Sequence, residues 1–204
     1  MNPDEQFASA VAAIDAANAG DPHRVMVRGE QQPKELAHSQ LVTEWVRQLD
    51  PDASTALMIA ARAHHLRRWM IPRSSYPAGR SGYLRWRRAL HELHAEEVGE
   101  ILQRVGYDRP TIERIQQLVA KRGLGEDPEA QVLENALCLV FVETQLHDLS
   151  ERLAHEKIVD VVRKTLDKMS REAIELTSTI DLPDDDRALL REALSQPTRS
   201  RGVR

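Results

Sequence analysis

The chain has 204 residues, 29% of them charged and 41% from the hydrophobic set, with a net charge of −4. That composition fits one globular domain with a proper core and excludes a disordered or fibrous chain. The longest apolar run, Ala136 to Val142, falls far short of the roughly 20 residues of a membrane helix, and the opening Met1-Asn2-Pro3-Asp4-Glu5 lacks the basic and apolar regions of a secretory signal. The single cysteine, Cys138, excludes an internal disulfide, suits the reducing cytosol and reads as a small buried hydrophobe.

Apolar residues recur at helical spacing along almost the whole chain, and strand alternation is nearly absent, which predicts an all-α bundle of about 7–9 helices. A first helix with Phe7, Val11 and Ile14 inward stops at Gly20-Asp21-Pro22. Val25-Met26-Val27 is the candidate for extended structure, and a second helix follows Pro33 with Leu36, Leu41, Val42, Trp45 and Val46 inward. After the break at Asp50-Pro51-Asp52, one helix is expected from Ala53 to Trp69, then a loop from Ile71 to Ser81 rich in Pro and Gly. A long helix runs from Gly82 to Val105, ended by Gly106, and the next carries Pro110 in its first turn and stops at Gly123-Leu124-Gly125. The central apolar helix is expected from Pro128 to Leu153, and the last helices over Glu156–Thr179 and Pro183–Leu194. A single domain over residues 1–196 and a disordered tail at 197–204 complete the expectation.

The net charge hides an asymmetry. From Ala53 to His91 there is no Asp or Glu, yet there are eight arginines (62, 67, 68, 73, 80, 85, 87 and 88), leaving 20 basic and 32 acidic residues elsewhere. A positive stretch in an acidic chain is a local field that favours anions. Either it is a solvated basic face, or its guanidinium forks hold phosphate. The loop joins Arg73, Tyr76, Arg80, Tyr83, Arg85 and Trp86, a mixture of forks and aromatic faces that suits a nucleotide. The bland alternative makes Trp69, Tyr83 and Trp86 core residues and the arginines helix caps, with Asp15 and Asn18 either orienting a loop arginine or capping a helix.

His38, His64, His65, His91 and His94 all fall on expected helices. His91 and His94 share a face, whereas adjacent His64 and His65 diverge by about 100° around a helix axis. Imidazoles are metal ligands, but spacing alone equally allows histidines that simply hydrogen-bond in a helical interior.

The succession Ala37-His38-Ser39, Ala61-Arg62-Ala63-His64-His65-Leu66, His94-Ala95-Glu96-Glu97 and Leu133-Glu134-Asn135-Ala136 resembles the HD-domain superfamily of metal-dependent phosphohydrolases over residues 34–145. The resemblance implies an HD-like helical core, with the C-terminal helices at 156–195 outside it. It also implies one divalent ion (Zn, Mn or Fe) held by His38, His64, His65 and Asn135. His65 and Asn135 stand where that superfamily has Asp, so both ligand carboxylates are replaced, and Glu134 is one helical step from the second position. His94 matches an additional His of some members, and their next His falls near Lys121. A second resemblance rests on Pro33-Lys34-Glu35-Leu36, Arg68-Trp69-Met70-Ile71-Pro72-Arg73, Tyr76-Pro77-Ala78-Gly79-Arg80-Ser81-Gly82-Tyr83 and Lys164-Thr165-Leu166-Asp167-Lys168-Met169-Ser170. These strings resemble an uncharacterised family catalogued as domain of unknown function 4202, some members of which carry a glutamyl-tRNA synthetase-like label. No class I nucleotide signature or parallel-sheet pattern supports that label here.

The expectation is therefore a cytoplasmic phosphohydrolase acting on a small phosphorylated compound, such as a nucleotide. His94 or Glu97 would move protons, and Arg73, Tyr76, Arg80, Tyr83, Arg85 and Lys121 would bind the anion. The alternative is a metal-free module that binds a nucleotide or RNA through the arginine-rich loop.

Overall fold

A computed structural model describes residues 2–123 and 125–195. The tail expected to be disordered, 197–204, lies outside them. The fold is all-α, as the periodicity predicts, with one short hairpin among the described residues. No described helix is long and apolar enough to cross a membrane. The chain forms two compact units divided after Leu133.

The first unit contains α1 (Pro3–Asn18), strands β1 (Arg24–Val27) and β2 (Glu30–Pro33), α2 (Lys34–Leu49), α3 (Thr55–Ala63), α4 (Gly79–Val105), α5 (Arg109–Val119) and the start of α6 (Pro128–Thr144). Helix α3 packs against α1, α2 and α5, and α4 against α1 and α5. Ile14, Leu57, Ile59, Leu66, Leu90 and Ile115 fill the interior. Local sequence explains most helix starts. Asn2 and Glu5 form a reciprocal capping box at α1, Ser54 accepts from Leu57 N at α3, and Asp108 accepts from Thr111 N at α5. Helix α2 has Pro33 at its N-cap position and no cap from its own neighbours. Its orphan Glu35 N–H donates instead to Asp21 Oδ2 at 3.0 Å. The residue that ends the first helix region thus caps the next.

The rest of α6 belongs to the second unit, with α7 (Leu146–Arg152), α8 (His155–Leu166), α9 (Arg171–Leu176) and α10 (Asp184–Ser195). Helix α10 packs against α7 and α8. The expected helices 128–153 and 156–179 are each broken, at Gln145 and at 167–170. The second break is fixed by Ser170, which caps α9 through Ala173 N and whose own N–H donates to Asn135 Oδ1 at 2.9 Å.

Two further departures shape the first unit. Val25-Met26-Val27 is extended, but its partner, Glu30-Gln31-Gln32-Pro33, shows no alternation. The pair is set by a tight turn with positive φ at Arg28 (50°) and Gly29 (84°). The expected helix 53–69 ends at Ala63. Residues 64–67 form a turn with Arg67 at φ 52°, and a 3₁₀ turn follows at Arg68–Met70. The cause is not local: Arg67 N donates to Asn18 Oδ1 (3.0 Å), a fully buried amide at the end of α1.

Helix α4 begins at Gly79, earlier than expected, because the preceding loop is tied to it. Trp86 Nε1 donates to Ile71 O (2.8 Å), and Arg73 donates to Tyr76 O (2.9 Å) and Pro77 O (3.0 Å). A Cβ on Gly82 would lie 1.9 Å from Pro77 O. Gly82→Ala should therefore destabilise the protein by about 1–3 kcal/mol, although Ala gains about 1 kcal/mol in helix propensity. Urea unfolding checks this, and a midpoint at or above wild type would contradict the packing.

Candidate functional site

Glu35, His38 and His65 offer ligand atoms that all lie within 4.8 Å of one another. Glu35 and His38 come from the first turns of α2, one helical turn apart, and both are buried, with 4% and 3% of their surfaces exposed. His65 comes from the turn after α3. Glu35 Oε2 lies 3.1 Å from His65 Nδ1 and 3.9 Å from His38 Nδ1, and Oε1 lies 3.8 Å from Arg68 Nε. Arg68 Nη1 is 3.3 Å from His65 Nε2. A guanidinium only donates, so His65 accepts at Nε2 and directs its Nδ1–H at Glu35.

A cavity of about 60 Å³ meets this group at His65 and Arg68, and is lined further by His64 and Lys121 and by Tyr83, Trp86, Arg87, His91 and His94 of α4. His94 is 1% exposed and donates Nδ1–H to Leu66 O at 2.8 Å. Its Nε2 is buried and has no partner among the described residues. The Arg68 guanidinium lies 4.8 Å from the Trp86 ring centroid, which packs its flat face while leaving its edge for acceptors.

The sequence-derived residues separate into groups. His38 and His65 come together with Glu35. His64 lies beside them, its ring 4.1 Å from that of His65, but its Nδ1 faces Ala61 O at 3.1 Å. Asn135 belongs to the second unit, where Nδ2 donates to Ser170 Oγ and Oδ1 accepts from Ser170 N. His94, Tyr83 and Lys121 line the cavity, whereas Glu97 is ion-paired with Arg67 at 2.9 Å. Arg73 and Tyr76 are part of the loop's own hydrogen bonding. Arg80 and Arg85 line a separate open groove. Asp15 and Asn18 engage arginines, though not those of the loop: Asp15 binds Arg62 through both carboxylate oxygens at 2.6 Å, and Asn18 holds the Arg67 backbone.

The residues that sequence reading missed are Glu35, beside His38 and His65, and Arg68, Arg87 and His91 as cavity lining. An acidic residue in the first turn of a helix ordinarily reads as a partner for the helix dipole. The signal available for Glu35 was its spacing of three from His38.

Burial sets the electrostatics. It pushes the Glu35 carboxyl up, opposed by His38 and Arg68. It pushes His38 down, opposed by Glu35. His64 and His65 are held well below the usual imidazole range by burial, with His65 and Arg68 respectively the next largest influences. Burial also lowers His94 to about 4, opposed by its bond to Leu66 O. At neutral pH burial therefore favours the neutral forms of His38, His64, His65 and His94.

A family model described as Domain of unknown function (DUF4202) matches residues 8–190, and the chain belongs to that family. No curated protein and no solved structure matches the chain.

The depressed imidazoles make stability pH-dependent. Below pH 6.5 the unfolded chain takes up protons that the folded one excludes, so this contribution is complete above 6.5 and is lost as the pH falls. For His94, lowered to about 4, the loss reaches on the order of 3 kcal/mol by pH 4. Glu35, being raised, acts in the opposite sense above 4.5, its stability loss growing as the pH rises. Urea unfolding should show net weakening from pH 7 to pH 5, with a shallower slope in His94→Gln. A flat wild-type profile would contradict the burial argument.

Proposed function

We propose that this DUF4202 member is a metal-dependent phosphohydrolase of HD-like type that acts on a small phosphorylated compound. The observation that carries the reading is the buried Glu35 carboxylate set between His38 and His65, with His65 and Arg68 also lining a cavity that Arg87 and Lys121 share. The HD resemblance left the site without its two usual carboxylates, and that loss favoured a metal-free module. Glu35 restores one from α2.

The donor set fits a divalent ion. Two imidazoles that burial keeps neutral and one carboxylate form a combination suited to Zn, Fe or Mn with positions left open. Glu35, His38 and His65 would hold the ion, which when bound supplies Lewis-acid polarisation and a nucleophile competent at neutral pH. For His65 to serve as a ligand through Nδ1, it gives up the proton now aimed at Glu35. Its Nε2 then carries the proton and no longer accepts from Arg68, which frees that guanidinium for an anion. Arg68, Arg87 and Lys121 face the same small space and offset the charge of a phosphoryl group. His94 offers a lone pair at Nε2, held in place by its bond to Leu66, and takes up a proton from a water in the cavity.

At about 60 Å³ the cavity has room for roughly two waters at about 30 Å³ each. It suits a single phosphoryl group, with the rest of the substrate outside.

The direct test compares metal content and p-nitrophenyl phosphate hydrolysis in tag-free protein purified without chelator. Wild type should carry close to one equivalent of Zn, Mn or Fe, lost in Glu35→Gln and His65→Ala. His94→Gln should keep the metal and lose about a hundredfold or more in kcat. A wild type that takes up none of these ions on titration would remove the hydrolase reading and leave an anion-binding module.

A further inference from the structure

The arginines absent from the histidine cavity pose a separate question. Arg62, Arg67, Arg68 and Arg73 all have acceptors within the fold. Arg80, Arg85 and Arg88 are exposed and have no hydrogen-bond or ion-pair partner among the described residues. With Ser81 and Leu84 they line an open groove of about 450 Å³ on α4. No carboxylate occurs between Ala53 and His91, and Glu92, one turn from Arg88 on α4, makes no ion pair with it among the described residues. Three like charges in one groove repel one another, and an anion seated there relieves that repulsion.

The groove and the cavity are both built on α4. On a helix, residues four apart form a ridge. Tyr83, Arg87 and His91 form the ridge that lines the cavity, whereas Arg80, Leu84 and Arg88 form the adjacent ridge in the groove. The two surfaces thus lie side by side on one rigid helix, within about 10 Å, the diameter of a helix with its side chains. Tyr83, 43% exposed, lines the cavity, with the Arg87 guanidinium 6.0 Å from its ring centroid.

We infer that the substrate carries at least two phosphate groups, one in the histidine cavity and a second held by Arg80, Arg85 and Arg88. This rests on the proposed function for the first phosphate only. Guanidinium forks match phosphate oxygens bidentately, which makes phosphate the anion of choice for such a cluster. Two sources share this chemistry: a small bisphosphorylated molecule and the backbone of a phosphate-terminated strand.

Calorimetric titration at fixed ionic strength tests the inference without requiring turnover. The probes are AMP, adenosine 3′,5′-bisphosphate and 5′-phosphorylated tetrathymidylate. Wild type should bind the bisphosphate about tenfold or more tighter than AMP, the gain from one further charge-assisted contact. The triple variant Arg80→Ala, Arg85→Ala, Arg88→Ala should remove that advantage and change AMP binding by no more than about twofold. Should the triple variant fail to fold, Arg85→Glu alone must reduce the advantage. A tetranucleotide that binds tighter still assigns the second phosphate to a strand, and one no tighter than the bisphosphate assigns it to a small molecule. Equal affinity for AMP and the bisphosphate in wild type, or an advantage that survives in the folded triple variant, overturns the inference. Failure of every probe to be hydrolysed would count against the hydrolase reading alone and leave this contrast standing.

Discussion

A carboxylate taken out of water must be matched by donors or positive charge, because the desolvation cost amounts to several kcal/mol. Glu35 imposes that requirement on the first unit. Its carboxylate is met by the Nδ1–H of His65 and approached by Arg68, while its backbone N–H is satisfied by Asp21, itself 2% exposed. Three separate segments must be in place for this to happen. The chain before the hairpin brings Asp21 to the start of α2, the helix itself aligns Glu35 with His38, and the turn after α3 delivers His65 and Arg68. Asn18, by accepting from Arg67 N, fixes that turn from the end of α1. In the stretch from α1 to the turn after α3, the features with no local explanation, the α2 cap and the turn at 64–67, are the ones that converge on this carboxylate.

The same convergence accounts for what was legible in the sequence and what was not. Helix identity was legible, since apolar spacing and the Asn2, Ser54 and Asp108 caps act over a few residues. The charge asymmetry was also legible, and the stretch that carries it supplies His65, Arg68 and most of the cavity lining. The turn at 64–67 was not, because Ala-Arg-Ala-His-His-Leu-Arg-Arg carries no helix breaker and yields only to a buried amide 49 positions away. That error placed His64 and His65 on a helix, where they diverge. In the turn, His65 joins Glu35 and His38 while His64 bonds to Ala61 O. Glu35 itself looked like an ordinary acidic first-turn residue, and nothing in its neighbourhood announced that it would be buried.

The arginines illustrate a division of labour that composition conceals. Arg62 and Arg67 tie α3 and its turn to Asp15 and Glu97, Arg73 closes the loop onto its own carbonyls, and Arg68 serves the buried carboxylate. Among the α4 arginines Arg87 lines the cavity, and Arg80, Arg85 and Arg88 line an open groove. Guanidiniums suit such different settings because they stay charged and combine a planar packing face with a fixed fork of donors. A count of arginines thus showed where positive charge concentrates without saying which of them are used inside the fold.

The central claim is that Glu35, His38 and His65 form a metal centre. Anomalous scattering from crystals grown with Mn²⁺ or Zn²⁺, recorded on both sides of the metal's absorption edge, tests it directly. The account predicts one strong peak within about 2.0–2.3 Å of Glu35, His38 and His65 ligand atoms. Crystals in which those three residues keep their hydrogen bonds and show no peak, while the metal is found elsewhere or not at all, would contradict it.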